Sequence, residues 1–154
     1  MGGYAVRKIH DENVVGVKGW GVMTSSGEKL TPVDLKDTVK KIVVSRSHAG
    51  AVEELAKKSF GSEFTVEPAG GSGYKTLRLL NGTAELYIHQ TAIKKWDTCA
   101  GDAILRAFGG AMLDLEGSPL RYGSDTPVLN EKGLLAAVRT PFTYSKRIIP
   151  NIGL

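Results

Sequence analysis

The segment Lys94-Lys95-Trp96-Asp97-Thr98-Cys99-Ala100-Gly101-Asp102-Ala103-Ile104-Leu105 joins a predicted strand to a predicted helix. Before it, residues 84–89 alternate between apolar and polar side chains, which is typical of a strand. After it, apolar residues recur at helical spacing from Ala100 to Ala107. Asp97 is therefore predicted to lie at a helix start. A carboxylate there either caps backbone N–H groups or binds a metal ion at a position that also favours phosphate.

Two similar strand-turn-helix units precede this one. The first is predicted as strand 42–44, turn 45–50 and helix 51–58, and the second as strand 64–66, turn 68–73 and helix 74–80. In an open α/β sheet, ligands bind beyond the carboxyl ends of the strands, where such turns and helix N-termini gather. All three turns are therefore expected to line one site.

The remaining segments complete an α/β pattern. Residues 111–115 and 119–122 are predicted as two strands about a hairpin-like return, 133–138 as a buried strand, and 141–149 as a terminal helix. Residues 1–40 contain a β-branched, glycine-containing stretch typical of an edge strand or hairpin arm, followed by turn and loop. We therefore divide the chain into an N-terminal segment, 1–40, and a main domain, 41–154.

Composition narrows the class of protein. A chain of 154 residues is long enough for one domain that buries roughly 70% of its unfolded surface. The net charge of +4 comes from scattered lysine pairs, which favours a local anion site over a nucleic-acid surface. The single cysteine, Cys99, excludes an internal disulfide and a cysteine-based zinc site. No apolar run approaches the roughly 20 residues of a membrane span, and the first residues do not resemble a secretory signal.

The Trp-Asp-x-x-Ala-Gly pattern at Trp96, followed by Phe108-Gly109-Gly110, resembles the second signature of the inositol monophosphatase superfamily of Mg-dependent, lithium-sensitive phosphatases. Residues 94–100 are similar to the form found in 3'(2'),5'-bisphosphate nucleotidases. Their flanks resemble the Golgi-resident branch, which hydrolyses 3'-phosphoadenosine 5'-phosphate. In this family the aspartate of the motif binds a catalytic Mg ion. The resemblance therefore implies that Asp97 is a Mg ligand and that the location is the Golgi, with the cytoplasm as the alternative.

Two further segments bear on nucleotide binding. The glycine-rich turn 68–73 lets backbone N–H groups approach an anion closely, and Lys75 adds a positive charge. Alone, this pattern is more often ordinary loop chemistry, because it lacks both the phosphate-loop ending and the dinucleotide spacing. Residues 45–48 and 68–75, however, both resemble nucleotide-contacting segments of the bisphosphate nucleotidases. The resemblance assigns substrate contacts to Ser45, His48, Gly71 and Lys75.

Other superfamily motifs are missing from the sequence. The family carries most of its metal ligands on an earlier paired-glutamate segment and an Asp-Pro-x-Asp-Gly/Ala-Thr motif, and neither occurs here. Glu53-Glu54 lies instead in the predicted first turn of a solvated helix. The resemblance, which runs from Ile42 to about Arg139, thus implies the C-terminal half of an αβαβα fold, a central mixed sheet sandwiched by helices.

With these ligands absent, we expect the isolated chain to bind Mg weakly and to hydrolyse little. Three functions stay open. The first is a phosphatase fragment that removes the 3'-phosphate of 3'-phosphoadenosine 5'-phosphate, with inositol phosphates as the alternative substrate. The second is a non-catalytic nucleotide-binding module. The third is a structural domain that forms a homo-oligomer through the surface its missing half would cover.

Overall fold

A computed structural model describes residues 4–9 and 12–153. The strands are β1 (Tyr4–Ile9), β2 (Glu12–Val17), β3 (Gly21–Thr24), β4 (Lys29–Leu30), β5 (Lys41–Val44), β6 (Thr65–Pro68), β7 (Leu86–His89), β8 (Ile93–Lys94), β9 (Ala111–Leu113), β10 (Leu129–Asn130) and β11 (Leu134–Ala137). The α-helices are α1 (Ala49–Phe60), α2 (Ser72–Leu80), α3 (Cys99–Ala107) and α4 (Pro141–Ile148). The three predicted strand-turn-helix units are confirmed, with bounds that shift by up to two residues.

The central sheet has five strands in the order β6-β5-β7-β11-β9. Strands β6, β5 and β7 run parallel, whereas β11 runs antiparallel to both β7 and β9. This is the mixed sheet that the family resemblance implies. The carboxyl ends of the three parallel strands meet at one edge, which therefore carries the turns that follow them.

Helices cover both faces of this sheet, as predicted. One face packs against α1 and α4 through a core that includes Val44, Leu55 and Tyr144. The other face packs against α2 and α3 through a core that includes Val43, Leu77 and Ile104. Strand β11 is apolar throughout, and β5 is apolar after Lys41, because both faces of these strands are buried.

The N-terminal strands form more than the predicted edge strand or hairpin arm. They make a four-stranded antiparallel sheet, β1-β2-β3-β4, which packs on the outer side of α3. The contact is close at Gly16 in β2, where an added Cβ would come within 2.8 Å of the Ile104 Cα. None of the helices in the described part of the chain is long and apolar enough to cross a bilayer.

One predicted strand is wrong. Residues 119–122 make only an isolated bridge between Pro119 and Leu113, together with a hydrogen bond from Leu120 N–H to the Met112 carbonyl oxygen. Proline has no backbone N–H to donate, so pairing at this sheet edge stays limited. The predicted return about residues 116–118 is present, with Gly117 at a φ of 90°.

Candidate active site

The three turns contribute to one open cavity of about 570 Å³ at the carboxyl edge of the parallel strands. The turn after β5 contributes Ser45, the turn after β6 contributes Gly71, and the segment after β7 contributes Asp97. The cavity is also lined by Ser72, Lys75, Tyr87, His89, Ala92, Ile93, Lys94, Trp96 and Leu129. The parallel topology thus gathers residues that are far apart in the chain, as the sequence predicts.

Four of the five candidate residues line this cavity: Ser45, Gly71, Lys75 and Asp97. His48 does not line it. Its Nδ1 lies 2.8 Å from Ser47 Oγ, and its ring centre lies 6.1 Å from that of His89. His48 is therefore a neighbour of the lining residue His89 and is not itself one of the lining residues.

Lys75 is the buried cation of the cavity. Its side chain projects from α2, the residue is only 3% exposed, and Nζ donates a hydrogen bond of 3.3 Å to the Ala69 carbonyl oxygen. Burial lowers the pKa of the Lys75 amino group. An ammonium donates up to three hydrogen bonds, so Lys75 retains donors for an anion in the cavity.

The N-terminus of α2 adds backbone donors beside Lys75. Gly71 precedes the helix with a φ of 80° and a ψ of 123°, a conformation that glycine adopts at little cost. The first N–H groups of a helix lack intrahelical acceptors and carry its positive dipole end. Ser72 Oγ is also buried, beside the Tyr87 side chain. These donors suit a phosphate group.

His89 was missed by the sequence reasoning. It ends β7, and its Nδ1 lies 2.9 Å from Ser45 Oγ while Nε2 lies 3.0 Å from Thr91 Oγ1. Burial lowers the pKa of His89, and the charges of Lys75 and His48 lower it further. Its position at the carboxyl end of a parallel strand was the available signal.

The mouth of the cavity also carries an exposed aromatic ring. Trp96 is 62% exposed, and the Lys94 amino group lies 4.9 Å from its ring centre. An exposed indole face offers a stacking surface for a planar base.

Another aromatic residue of the cavity, Tyr87, is buried. Burial raises the pKa of Tyr87 to about 12, and the charge of Asp97 contributes to this rise. Tyr87 therefore stays protonated at neutral pH.

Asp97 does not occupy the predicted helix start. It ends a 3-10 turn, Lys95–Asp97, and Thr98 is the residue that precedes α3. The Thr98 hydroxyl donates to the Lys95 carbonyl oxygen, which ties the turn to the helix. The carboxylate of Asp97 is exposed and accepts no hydrogen bond from the described residues, so the geometry does not support a capping role.

A buried carboxylate behind this turn has a structural role. Asp102 in α3 accepts a 2.8 Å hydrogen bond from the Met112 N–H and forms a 2.8 Å ion pair with Arg106. Burial raises the pKa of Asp102, although both of these partners favour its ionised form. The hydrogen bond from Met112 joins α3 to β9, whereas the ion pair with Arg106 lies within α3.

The residues present fit part of a magnesium site. No group of three or more His, Cys, Asp or Glu side chains converges within residues 4–9 and 12–153. Mg²⁺ is commonly held by one or two carboxylates together with substrate phosphates and water. The uncommitted carboxylate of Asp97 fits one such ligand beside the phosphate-favouring end of α2.

Known proteins of one family match this chain over most of its length. The sequence profile of the inositol monophosphatase family matches residues 4–144. The chain is 41% identical over 139 residues to the Golgi-resident adenosine 3',5'-bisphosphate 3'-phosphatase of Rattus norvegicus, covering 86% of this chain and 38% of that protein. It is 45% identical over 127 residues to inositol monophosphatase 3 of Danio rerio, covering 78% of this chain and 36% of that protein.

The fold also has solved counterparts. An inositol monophosphatase/NADP phosphatase complexed with Mg²⁺ and phosphate matches 94% of this chain and 52% of its own, with a TM-score of 0.68 and 21% identity. The chain spans less than two-fifths of the length of the curated relatives above. Because the family profile begins at residue 4, it includes the N-terminal sheet as well as the motif-bearing region. The chain belongs to the inositol monophosphatase family.

Proposed function

We propose that this chain is the substrate-binding part of a Mg-dependent phosphatase that removes the 3'-phosphate of 3'-phosphoadenosine 5'-phosphate to give AMP. The observation that carries the proposal is the convergence of Lys75, the N-terminus of α2 and Asp97 on one cavity. Two of these features attract phosphate, and the third is an anionic oxygen placed to hold a cation beside it. The relationship to a bisphosphate 3'-phosphatase supports the choice of substrate.

In this proposal, different residues of the chain bind the phosphate, the base and the metal ion. Lys75 and the α2 N–H groups neutralise and orient a phosphate, and the exposed face of Trp96 stacks on the base. Asp97 would hold one Mg²⁺, which, when bound, stabilises the charge that develops on the phosphoryl oxygens. His48 lies beside the lining residue His89 and would contact the nucleotide from that side.

The remaining metal ligands are assigned to a segment equivalent to the upstream part of the longer relatives. We extend the Golgi location of the rat relative and the lithium sensitivity of the superfamily to the complete protein as parts of the same proposal.

The test is phosphate release from 3'-phosphoadenosine 5'-phosphate across a Mg titration. The chain is assayed alone and together with a separately supplied upstream half of the rat relative. We expect nucleotide binding and little turnover from the chain alone, and Mg-dependent turnover from the mixture. Binding without turnover in both assays would contradict the enzyme proposal and favour a non-catalytic nucleotide-binding module.

Inositol phosphate is the second candidate substrate, since inositol monophosphatase 3 of Danio rerio is also a relative. Inositol 1-phosphate is therefore assayed in parallel with the nucleotide. A higher kcat/KM for inositol 1-phosphate would overturn the nucleotide assignment. The exposed Trp96 face favours the nucleotide, because stacking requires a planar ring that inositol lacks.

A further inference from the structure

A chain of hydrogen bonds runs from Ser45 through His89 to the loop after β7. Ser45 Oγ lies 2.9 Å from His89 Nδ1, and His89 Nε2 lies 3.0 Å from Thr91 Oγ1 and 3.4 Å from the Ala92 carbonyl oxygen. Ser45 and His89 both line the cavity, although 44 residues separate them in the sequence. This series of hydrogen bonds joins the ends of the neighbouring parallel strands β5 and β7.

The carbonyl of Ala92 favours one form of the imidazole, and the Thr91 hydroxyl, which can accept as well as donate, is compatible with it. A carbonyl oxygen only accepts hydrogen bonds, so it favours a proton on the facing Nε2 of His89. The other neutral form would direct the Nε2 lone pair towards that oxygen. With the proton on Nε2, the bare Nδ1 accepts, and the Ser45 hydroxyl must donate to it.

We infer that His89 is a positioning residue that turns Ser45 into a hydrogen-bond acceptor for the nucleoside. Since its proton is committed to His89, the Ser45 hydroxyl presents only lone pairs to the cavity. It therefore recognises a donor on the ligand, either a sugar hydroxyl or the exocyclic amine of the base. This inference rests on the proposed nucleotide function. It identifies the Ser45 hydroxyl oxygen as the acceptor that recognises the nucleoside.

The arrangement separates two kinds of recognition within one cavity. Phosphate oxygens accept hydrogen bonds, so they do not match an acceptor-only Ser45. They match Lys75 and the backbone donors at the start of α2. Ser45 and His89 therefore contribute selectivity for the nucleoside, whereas Lys75 and α2 contribute affinity for the charge.

The first test is on the free protein. Nitrogen-15 NMR of the histidine-labelled chain reports which ring nitrogen carries the proton, and a His89→Gln sample assigns the signals. We expect His89 to be neutral at pH 7 with the proton on Nε2. A proton on Nδ1 would overturn the inference. Nδ1 would then donate a hydrogen bond to Ser45 Oγ, and the Ser45 hydroxyl would be able to donate a hydrogen bond to the ligand.

The second test is calorimetric binding of three ligands: 3'-phosphoadenosine 5'-phosphate, its inosine analogue, and its 2'-deoxy analogue. The inosine analogue lacks the exocyclic amine, and the deoxy analogue lacks one sugar donor. We expect the wild-type chain to bind one of the two analogues roughly three- to tenfold more weakly than the parent, the range for one neutral hydrogen bond. Equal affinity for all three ligands would overturn the inference.

The variants separate positioning from a general structural effect. Ser45→Ala should abolish the discrimination between parent and analogue. His89→Ala should reduce it in the wild-type background and add nothing in the Ser45→Ala background. His89→Asn should restore discrimination, because its amide oxygen can accept the Ser45 proton near the Nδ1 position. Ser62→Ala, an exposed hydroxyl at the opposite edge of the sheet, is the matched control.

The outcomes distinguish the two proposals. Independent, additive effects of Ser45→Ala and His89→Ala would overturn the inference and leave the nucleotide function standing. Failure of all three ligands to bind the wild-type chain would overturn both, since the nucleoside contact presupposes a nucleotide.

Discussion

The amino group of Lys75 lies 4.9 Å from the centre of the Tyr87 ring, on the cavity side of the central sheet. A cation over an aromatic face gains electrostatic attraction without a neutralising carboxylate. Among the ion pairs of the described residues, none joins Lys75 to an acidic side chain. Its positive charge is therefore left for a ligand.

Lys75→Met should weaken binding of 3'-phosphoadenosine 5'-phosphate at least tenfold, because a charge-assisted hydrogen bond to phosphate is lost. The fold should be retained or slightly stabilised, since a buried charge is replaced by an apolar chain of similar length. Calorimetry and thermal melts measure the two effects. Lys36→Met, at an exposed position outside the cavity, should change neither, and equal affinities of the two variants would contradict the assignment.

The lowered pKa of Lys75 also predicts a pH dependence. Between that lowered pKa and the ordinary 10.5, the folded chain binds fewer protons than the unfolded chain. The contribution of Lys75 to the free energy of unfolding therefore rises with pH across this window, while affinity for phosphate falls as the amine deprotonates. Denaturant titrations from pH 7 to 10 should show this rise in the wild type and not in Lys75→Met.

Glu67 in β6 should stabilise the fold in a pH-dependent way. Hydrogen bonds from Arg78, at 2.6 Å, and from Lys41 lower the pKa of Glu67 to about 2. Its stabilisation is therefore present above about pH 4.5 and is lost as the pH falls towards about 2. Because a third of the side chain is exposed, we expect Glu67→Gln to cost only about 1 kcal/mol at pH 7.

Urea denaturation of the Glu67→Gln variant at pH 7 and at pH 2 measures this effect. The difference from wild type should shrink towards zero at the lower pH. Glu54→Gln, on the exposed face of α1, is the control and should be neutral at both values. An undiminished difference at pH 2 would mean that packing rather than charge stabilises this position.

Gly16→Ala should destabilise the contact between the N-terminal sheet and α3. The new Cβ would lie 2.8 Å from the backbone Cα of Ile104, so the two elements must move apart at a cost of about 1–3 kcal/mol. Gly50→Ala in α1 is the matched control. No atom lies within 4 Å of its new Cβ, and alanine in a helix should stabilise by up to about 1 kcal/mol.

Thermal and urea unfolding of both glycine variants test this prediction. A single transition that shifts to lower stability in Gly16→Ala would show that the first 40 residues unfold together with the main domain. A separate early transition would support the division at residue 40. No loss of stability would contradict the close packing.

Asp97→Asn distinguishes a metal ligand from a residue without a metal role. The exposed Asp97 carboxylate accepts no hydrogen bond from the described residues, so the change should leave thermal stability nearly unaltered. It removes the anionic oxygen that Mg²⁺ prefers, and turnover in the reconstituted mixture should therefore fall by roughly two orders of magnitude or more. Phosphate release across a Mg titration measures this loss. Equal turnover and equal Mg dependence would refute the assignment.

Much of the architecture could be predicted from local sequence patterns. Strand β5 is short, apolar and followed by a polar turn, so its type and place follow from residues close together in the chain. The same holds for β11 and α4. The convergence of three turns followed from a general property of parallel strands, whose carboxyl ends share one edge.

The motif at Trp96 was informative for a different reason. Its residues lie consecutively and could be matched to a known family without any knowledge of the fold. Its exact geometry was not predictable: a 3-10 turn intervenes before α3, so Thr98 rather than Asp97 precedes the helix. Element ends depend on a few hydrogen bonds with nearly equal alternatives.

The sequence by itself determined the order and type of the main elements, the family resemblance and the set of turns that carry the site, because these depend on short-range patterns. Only the tertiary structure decided that Lys75 is buried, that His89 bonds Ser45, that His48 is not among the lining residues, and that β2 packs on α3. Each of these depends on pairing between distant segments, such as the 44 residues that separate Ser45 from His89. Such pairing follows from strand order and packing, which a local pattern does not encode.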